Sequence, residues 1–189
     1  MCVITSSNLR RALRELGETL ADRGLRYHVA VVGGSALLLR DELERPTRDV
    51  DVVAVAEGVD TPLPQFDLPV PLREAAADVA AALALGDEDW LNSGAVAHVG
   101  DKLPVGYLER AQSIVYDGLT VSVLSRQDLI RLKMYAVTDE GPDSRHARDL
   151  AIMHASAEEF AEAITWVRHH TIQDPQLIDD VALRFGTGT

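Results

Sequence analysis

Val31-Val32-Gly33-Gly34-Ser35, followed after thirteen residues by Asp49-Val50-Asp51, is the stretch on which the reading of this chain turns. A strand ending in two glycines lets its backbone approach a ligand with no Cβ in the way. A helix opening at Ser35 then turns free N–H groups and a positive dipole end toward that ligand, which favours phosphate. Asp49 and Asp51, two apart on a strand, project both carboxylates from one face. Two such carboxylates suit an oxygen-liganded magnesium ion that also takes phosphate oxygens. Each half has a plainer reading: Gly33-Gly34 as a tight turn, the two acids as solvated charges on an edge strand. The halves are better explained together than apart. Other phosphate motifs fit poorly, since no Gly-Lys-Ser/Thr closes a P-loop and no third glycine completes a dinucleotide fingerprint.

Outward from this stretch, Ser6 and Ser7 offer an N-cap for a first helix. Leu9, Leu13, Leu16 and Leu20 fall at helical spacing, and Gly24 stops the helix. Tyr27 to Val32 reads as the strand entering the glycines, and Val50, Val52, Val53 and Val55 as the next strand. Pro62, Pro64, Pro69 and Pro71 predict a loop from Gly58 to Pro71, and Ala75 to Leu85 a helix. Gly86-Asp87-Glu88-Asp89 breaks that helix before Trp90-Leu91-Asn92. Ser113 to Tyr116, Asp117-Gly118 and Leu119 to Leu124 form the strongest hairpin signal.

From Ser125 the pattern is helical. Ser125 with Asp128 resembles a capping box, Ser156 with Glu159 is its full form, and Asp174-Pro175 marks one more helix start. Asp139 to Ser144 reads as an exposed loop, and Gly186-Thr187-Gly188-Thr189 as a disordered tail. Strands gather early and helices late, which predicts an α+β fold. Residues 1–124 form the core and residues 125–189 a helical part packed on it or continuous with it.

Of 189 residues, 47% are hydrophobic and 25% charged, enough apolar material for a packed core. Lys and Arg number 18 against 30 Asp and Glu, a net charge of -12. Such a field does not attract polyanions at long range, although an acidic chain can hold a local basic patch; it does attract a cationic small molecule. Cys2 is the sole cysteine, so an intrachain disulfide and a cysteine-based zinc site are excluded. Met1 to Arg10 lacks the apolar stretch of a secretory signal, and no run is long enough to span a bilayer. The expectation is a cytoplasmic protein with no membrane partner.

Gly-Gly-Ser, a spacer, then Asp-x-Asp in a hydrophobic strand resembles motif one of the polymerase-beta nucleotidyltransferase superfamily. Thr47-Arg48-Asp49-Val50-Asp51-Val52-Val53, Trp90-Leu91-Asn92, Asp128-Leu129 to Leu132-Lys133-Met134-Tyr135-Ala136 and Arg148-Asp149-Leu150 extend the likeness. They resemble an uncharacterised bacterial branch related to the toxins of AbiEii-type and MenT-type toxin–antitoxin systems. The resemblance implies a polymerase-beta-like core that transfers a nucleoside monophosphate from a triphosphate such as ATP to an acceptor, releasing pyrophosphate. It implies Mg2+ on Asp49 and Asp51, and terminal phosphates held at Gly33, Gly34 and Ser35. Lys133 would neutralise triphosphate charge, and Asp149 would support the site or orient Lys133. The likeness to the toxins implies tRNA as acceptor and a cognate antitoxin as partner, with another protein or a small molecule as the other acceptors. Antibiotic-modifying nucleotidyltransferases share the Gly-Gly and Asp-x-Asp pattern, which keeps an aminoglycoside acceptor open.

One departure stands out. Many polymerase-beta enzymes carry a third carboxylate in a later core strand, and Leu119 to Leu124 has no acid; Asp117 lies at the turn just before. A non-catalytic module that binds nucleotide or a partner is therefore the alternative of another class. Simpler roles also compete residue by residue. Lys133 beside Leu129, Leu132 and Ala136 fits a snorkelling helix lysine, and Asp149 near Arg145 and Arg148 fits a surface ion pair. Arg48 is either a phosphate contact or a local counter-charge. Trp90 reads as a core anchor, Asn92 as a helix cap, and His169-His170 as partners of helix-end carbonyls. His146, six residues after Glu140, makes no convincing metal pair.

Overall fold

The computed structural model describes residues 4–58, 60–171 and 175–186. Cys2, Asp174 as a cap and the tail residues Thr187, Gly188 and Thr189 lie outside the described residues. The architecture is α+β, in two compact units that divide after Ser125.

The first unit is built on a five-stranded mixed sheet of order β3-β2-β1-β5-β4. Its strands are β1 (Tyr27–Val32), β2 (Val50–Glu57), β3 (Leu91–Asn92), β4 (Gln112–Tyr116) and β5 (Leu119–Val123). β1 occupies the centre because it is apolar on both faces, with five of its six residues buried. It runs antiparallel to β2 and parallel to β5. The β2 register shifts by one residue between Ala30 and Val31, a bulge that leaves Val32 opposite Asp51. The Asp117-Gly118 hairpin is formed as its sequence requires, with Tyr116 paired to Leu119.

Tyr27, Val29, Val31, Leu119, Val121 and Val123 alternate onto one sheet face and are buried. Helix α1 (Ser6–Asp22) buries Leu9, Leu13, Leu16 and Leu20. Gly17 approaches Tyr116 so closely that an added Cβ would lie 2.7 Å from the tyrosine Cβ. The cap of α1 is Thr5 rather than Ser6 or Ser7. Its hydroxyl accepts the Asn8 amide at 3.4 Å, one position earlier than the serines suggest.

Helix α2 (Gly33–Leu39) starts at Gly33, not Ser35, so both glycines are its first residues. Helix α3 (Val70–Leu83) begins earlier than the Ala75 expected. Pro71 sits in its first turn, where the missing N–H has no intrahelical partner to lose, so the proline starts the helix instead of excluding it. Trp90 is fully buried and donates its indole N–H to the Ala76 carbonyl at 2.8 Å, anchoring β3 to α3. Short helices α4 (Val96–Val99) and α5 (Tyr107–Arg110) fill the β3–β4 connection.

The second unit contains α6 (Arg126–Glu140), α7 (Arg145–Met153), α8 (Ala157–His170) and α9 (Pro175–Gly186). Asp139 and Glu140, expected in a loop, belong to α6; the connection to α7 is only Gly141 to Ser144, and Ser144 caps α7. The Ser156–Glu159 capping box is complete, with both reciprocal bonds made. His169 and His170 lie inside the last turn of α8, where their Nδ1 atoms bond the Thr165 and Trp166 carbonyls at 2.6 and 2.7 Å. No described helix is long and apolar enough to cross a membrane.

Candidate functional site

In the first unit the two halves of the motif meet directly. Val32, the last residue of β1, is paired with Asp51, and Asp51 is paired in turn with Asn92 on β3. Residues opposite one another in a sheet share a face, so Val32, Asp51 and Asn92 point to the same side. Asp49 stands just ahead of β2, which begins at Val50, and is half-buried like Asp51. The two acids are held from behind by Val50, whose N–H donates to the Trp90 carbonyl at 2.6 Å.

The glycines are packed against the acid-bearing segment. Gly33 has φ +72°, a left-handed conformation that side chains rarely adopt. A Cβ on it would overlap Asp51 Oδ2 outright and lie 3.1 Å from Asp51 Cγ. A Cβ on Gly34 would stand 3.0 Å from the Thr47 hydroxyl oxygen. Thr47 is itself buried. Its backbone is bridged to Ile4 in both directions, and its hydroxyl donates to the Asp49 carbonyl at 3.4 Å, closing the turn through Arg48. Ser35 is fully buried, and its hydroxyl donates to the Val32 carbonyl at 3.1 Å, stapling the entry of α2. Arg48 is exposed.

The missing acid on β5 is explained by the register. On the face shared with Asp51, β5 carries Thr120 and Ser122, opposite His28 and Ala30 of β1. Ser122 is committed to His28, with Oγ and Nε2 2.8 Å apart, and burial pushes the His28 imidazole pKa down. Asp117 stands at the other end of the sheet. Leu119, two residues on, is paired with Tyr27, whereas Asp51 is paired with Val32. Five residues of strand separate those levels, about 17 Å. Asp117 is therefore at the wrong end to join Asp49 and Asp51.

Asn92 takes the position beside Asp51 with a neutral amide. Its Oδ1 accepts the Gly94 N–H at 2.9 Å and its Nδ2 donates to the Asp89 carbonyl at 3.4 Å, so it folds the turn after β3 instead of capping a helix. Nothing in the sequence announces this pairing, because β3 is only two residues long.

In the second unit, Lys133 of α6 and Asp149 of α7 form one buried pair. Lys133 Nζ donates to Asp149 Oδ2 at 2.6 Å; the carboxylate is fully buried and the lysine nearly so. Neither plainer reading survives. Lys133 does not snorkel, and Asp149 bonds Lys133 on another helix in a buried rather than surface ion pair. His146 extends the network. Its Nδ1 lies 3.5 Å from Lys133 Nζ, and its Nε2 3.2 Å from Glu140 Oε1. Burial and then the Lys133 charge push the His146 pKa down, while Glu140 opposes them. Because an ammonium only donates, Nδ1 accepts from Lys133 and Nε2–H donates to Glu140. His146 thus belongs to the lysine network, a role its spacing from Glu140 does not reveal. A second buried acid, Asp128, meets Arg131 one turn on, at 3.0 Å.

As a donor set, Asp49 and Asp51 offer only carboxylate oxygen, the chemistry that magnesium prefers. Among the described residues no three His, Cys, Asp or Glu gather tightly enough to hold a metal by themselves. An ion held by this pair would complete its octahedron with phosphate oxygens and water, which is the usual manner of magnesium at nucleotide sites.

A sequence model of a protein family, described as nucleotidyltransferase of unknown function (DUF6036), matches residues 7–171. Comparison with curated proteins and with solved structures finds no match to either.

Proposed function

The chain belongs to the DUF6036 family, nucleotidyltransferases of unknown function; from that premise we propose that it moves a nucleoside monophosphate from a magnesium-bound triphosphate to an acceptor hydroxyl. The observation that carries this reading is the contact of Gly33 with Asp51, which makes the Gly-Gly turn and the acidic strand one site.

Asp49 and Asp51 would hold Mg2+, which would supply charge neutralisation at the phosphates. Gly34 and the start of α2 leave the backbone open to the β- and γ-phosphates, and the exposed Arg48 adds a cation beside them. The resemblance assigns Lys133 to the triphosphate charge and Asp149 to orienting it, and within the helical unit the two are joined at 2.6 Å. The acceptor oxygen forms a bond to the α-phosphorus as the α–β bridging bond breaks. Pyrophosphate leaves, and the acceptor proton passes to solvent or base. Positioning and electrostatics supply most of the acceleration in such transfers. The absence of an acid on the Asp51 face of β5 leaves the acceptor side less equipped than the nucleotide side.

For the acceptor we take the tRNA 3′ end, on the likeness to AbiEii-type and MenT-type toxins, with a cognate antitoxin and a cytoplasmic setting. The net charge of -12 favours a second reading, a cationic small molecule of the aminoglycoside kind. A module that binds nucleotide without turnover is the outcome if transfer fails. The test incubates the protein with Mg2+, each α-labelled triphosphate in turn, and tRNA, protein extract or aminoglycosides, beside Asp49→Asn/Asp51→Asn. Label transfer by wild type alone supports the reading, and the labelled fraction names the acceptor. Nucleotide binding without transfer points to the non-catalytic module, and neither binding nor transfer overturns both.

A further inference from the structure

Gly-Gly before an acidic strand is ordinarily credited to close approach of phosphate. The geometry points to a different duty for Gly33: we infer that it is a positioning residue for Asp51, a socket that sets where the metal-binding carboxylate rests. The inference rests on the reading of Asp51 as a magnesium ligand, and adds to it the residue that holds the ligand in place.

Three observations converge on this. The space a Cβ would fill at Gly33 is taken by the Asp51 side chain, with Oδ2 overlapping it and Cγ at 3.1 Å. The approach is enforced by the sheet, because the one-residue shift at Ala30 and Val31 sets Val32 opposite Asp51 and so brings Gly33 beside it. Gly34 meets the same segment through the Thr47 hydroxyl, at a looser 3.0 Å from an added Cβ. The paired glycines therefore receive the segment Thr47 to Asp51 as one element. Any side chain at position 33 would drive the Asp51 carboxylate off its site.

Two other glycines supply a control for backbone strain. Gly24 and Gly58 have φ +70° and +69°, nearly that of Gly33, yet an added Cβ at either meets nothing within 4 Å. Alanine at those positions carries the conformational cost alone; alanine at Gly33 carries that cost and the collision with Asp51.

The experiment measures Mn2+ binding and thermal unfolding for the full chain and for Gly33→Ala, Gly24→Ala, Gly58→Ala, Asp51→Ala and Gly33→Ala/Asp51→Ala. Mn2+ is the probe because its paramagnetism reports binding without turnover. The expected result is at least tenfold weaker Mn2+ binding in Gly33→Ala, with Gly24→Ala and Gly58→Ala near wild type. With Asp51→Ala in place, Gly33→Ala should lower the unfolding temperature no more than the strain controls do. Should Gly33→Ala fail to fold, recovery of folding in the double variant supports the inference equally. Wild-type Mn2+ affinity in Gly33→Ala overturns it. So does a loss of stability from Gly33→Ala that is the same with and without the Asp51 side chain. If wild type binds no Mn2+ while the stability coupling is present, the magnesium reading fails and the socket stands.

Discussion

Lys133 Nζ lies 2.6 Å from Asp149 Oδ2 across two helices, with both side chains removed from water. A buried ammonium beside a buried carboxylate is costly to desolvate, and replacing the pair by apolar groups is often neutral. The pair holds one cation and one anion inside the helical unit. It also separates two kinds of damage that mutation can do.

Asp149→Ala leaves the Lys133 ammonium buried with its carboxylate gone and should cost about 3–5 kcal/mol of stability. Lys133→Met/Asp149→Leu removes both charges and should stand far closer to wild type in urea unfolding, within about 1–2 kcal/mol. Both variants should lose nucleotide transfer. Full activity in the well-folded double variant would show that the pair is only structural.

Asp51→Asn keeps the shape of the side chain against Gly33 and removes its charge. Unfolding should move little, within about 1 kcal/mol, since the residue is half-buried and the amide is isosteric. Label transfer should fall by about 100-fold or more, by analogy with the loss of other electrostatic groups at reacting centres. A rate close to wild type would remove Asp51 from the metal site.

Trp90 fills the junction of α3 and β3 and donates to the Ala76 carbonyl. Trp90→Ala should cost about 3–5 kcal/mol through the cavity it leaves. Because Val50 takes its ladder bond from the Trp90 carbonyl, the loosening should reach the acidic segment. Divalent-cation binding should therefore weaken along with the unfolding temperature, which titration of Mn2+ into the variant can read.

Glu159 accepts from Arg126 Nε at 2.8 Å and closes the α8 capping box. The hydrogen bond from Arg126, opposed by burial and helped by the Ser156 amide, holds the carboxyl below its ordinary pKa of 4.5. A depressed carboxyl stabilises the fold fully above its unfolded pKa and loses that contribution as pH falls through the folded one. Stability of the helical unit should thus decline below about pH 4.5. In Glu159→Gln that part of the acid dependence should vanish, and the baseline at pH 7 should drop by about 1 kcal/mol. Parallel acid-denaturation curves for variant and wild type would contradict this.

Local order was open to reading from the chain alone. The Asp117-Gly118 hairpin is formed and the Ser156–Glu159 box closes because each depends on contacts within a few residues, and β1 spans Tyr27 to Val32 as its apolar run predicts. The starts of α1, α2 and α3 lie one to five residues ahead of where the sequence pattern puts them. There Thr5, Gly33 and Pro71 act through cap and turn geometry that composition describes poorly.

What the sequence by itself determined is the α+β order of elements and the pairing of a Gly-Gly turn with an acidic strand, since periodicity and spacing are local properties. Only the tertiary structure decided that Gly33 receives Asp51, that Asn92 stands beside it, and that Asp117 lies at the far end of the sheet. It alone turned Lys133 and Asp149 from candidate surface charges into a buried pair joined to His146. Those facts rest on strand register and on helix packing between residues distant in the chain. A shift of one residue in strand register would send the same side chains to opposite faces, and one in a helix would turn them by about 100°.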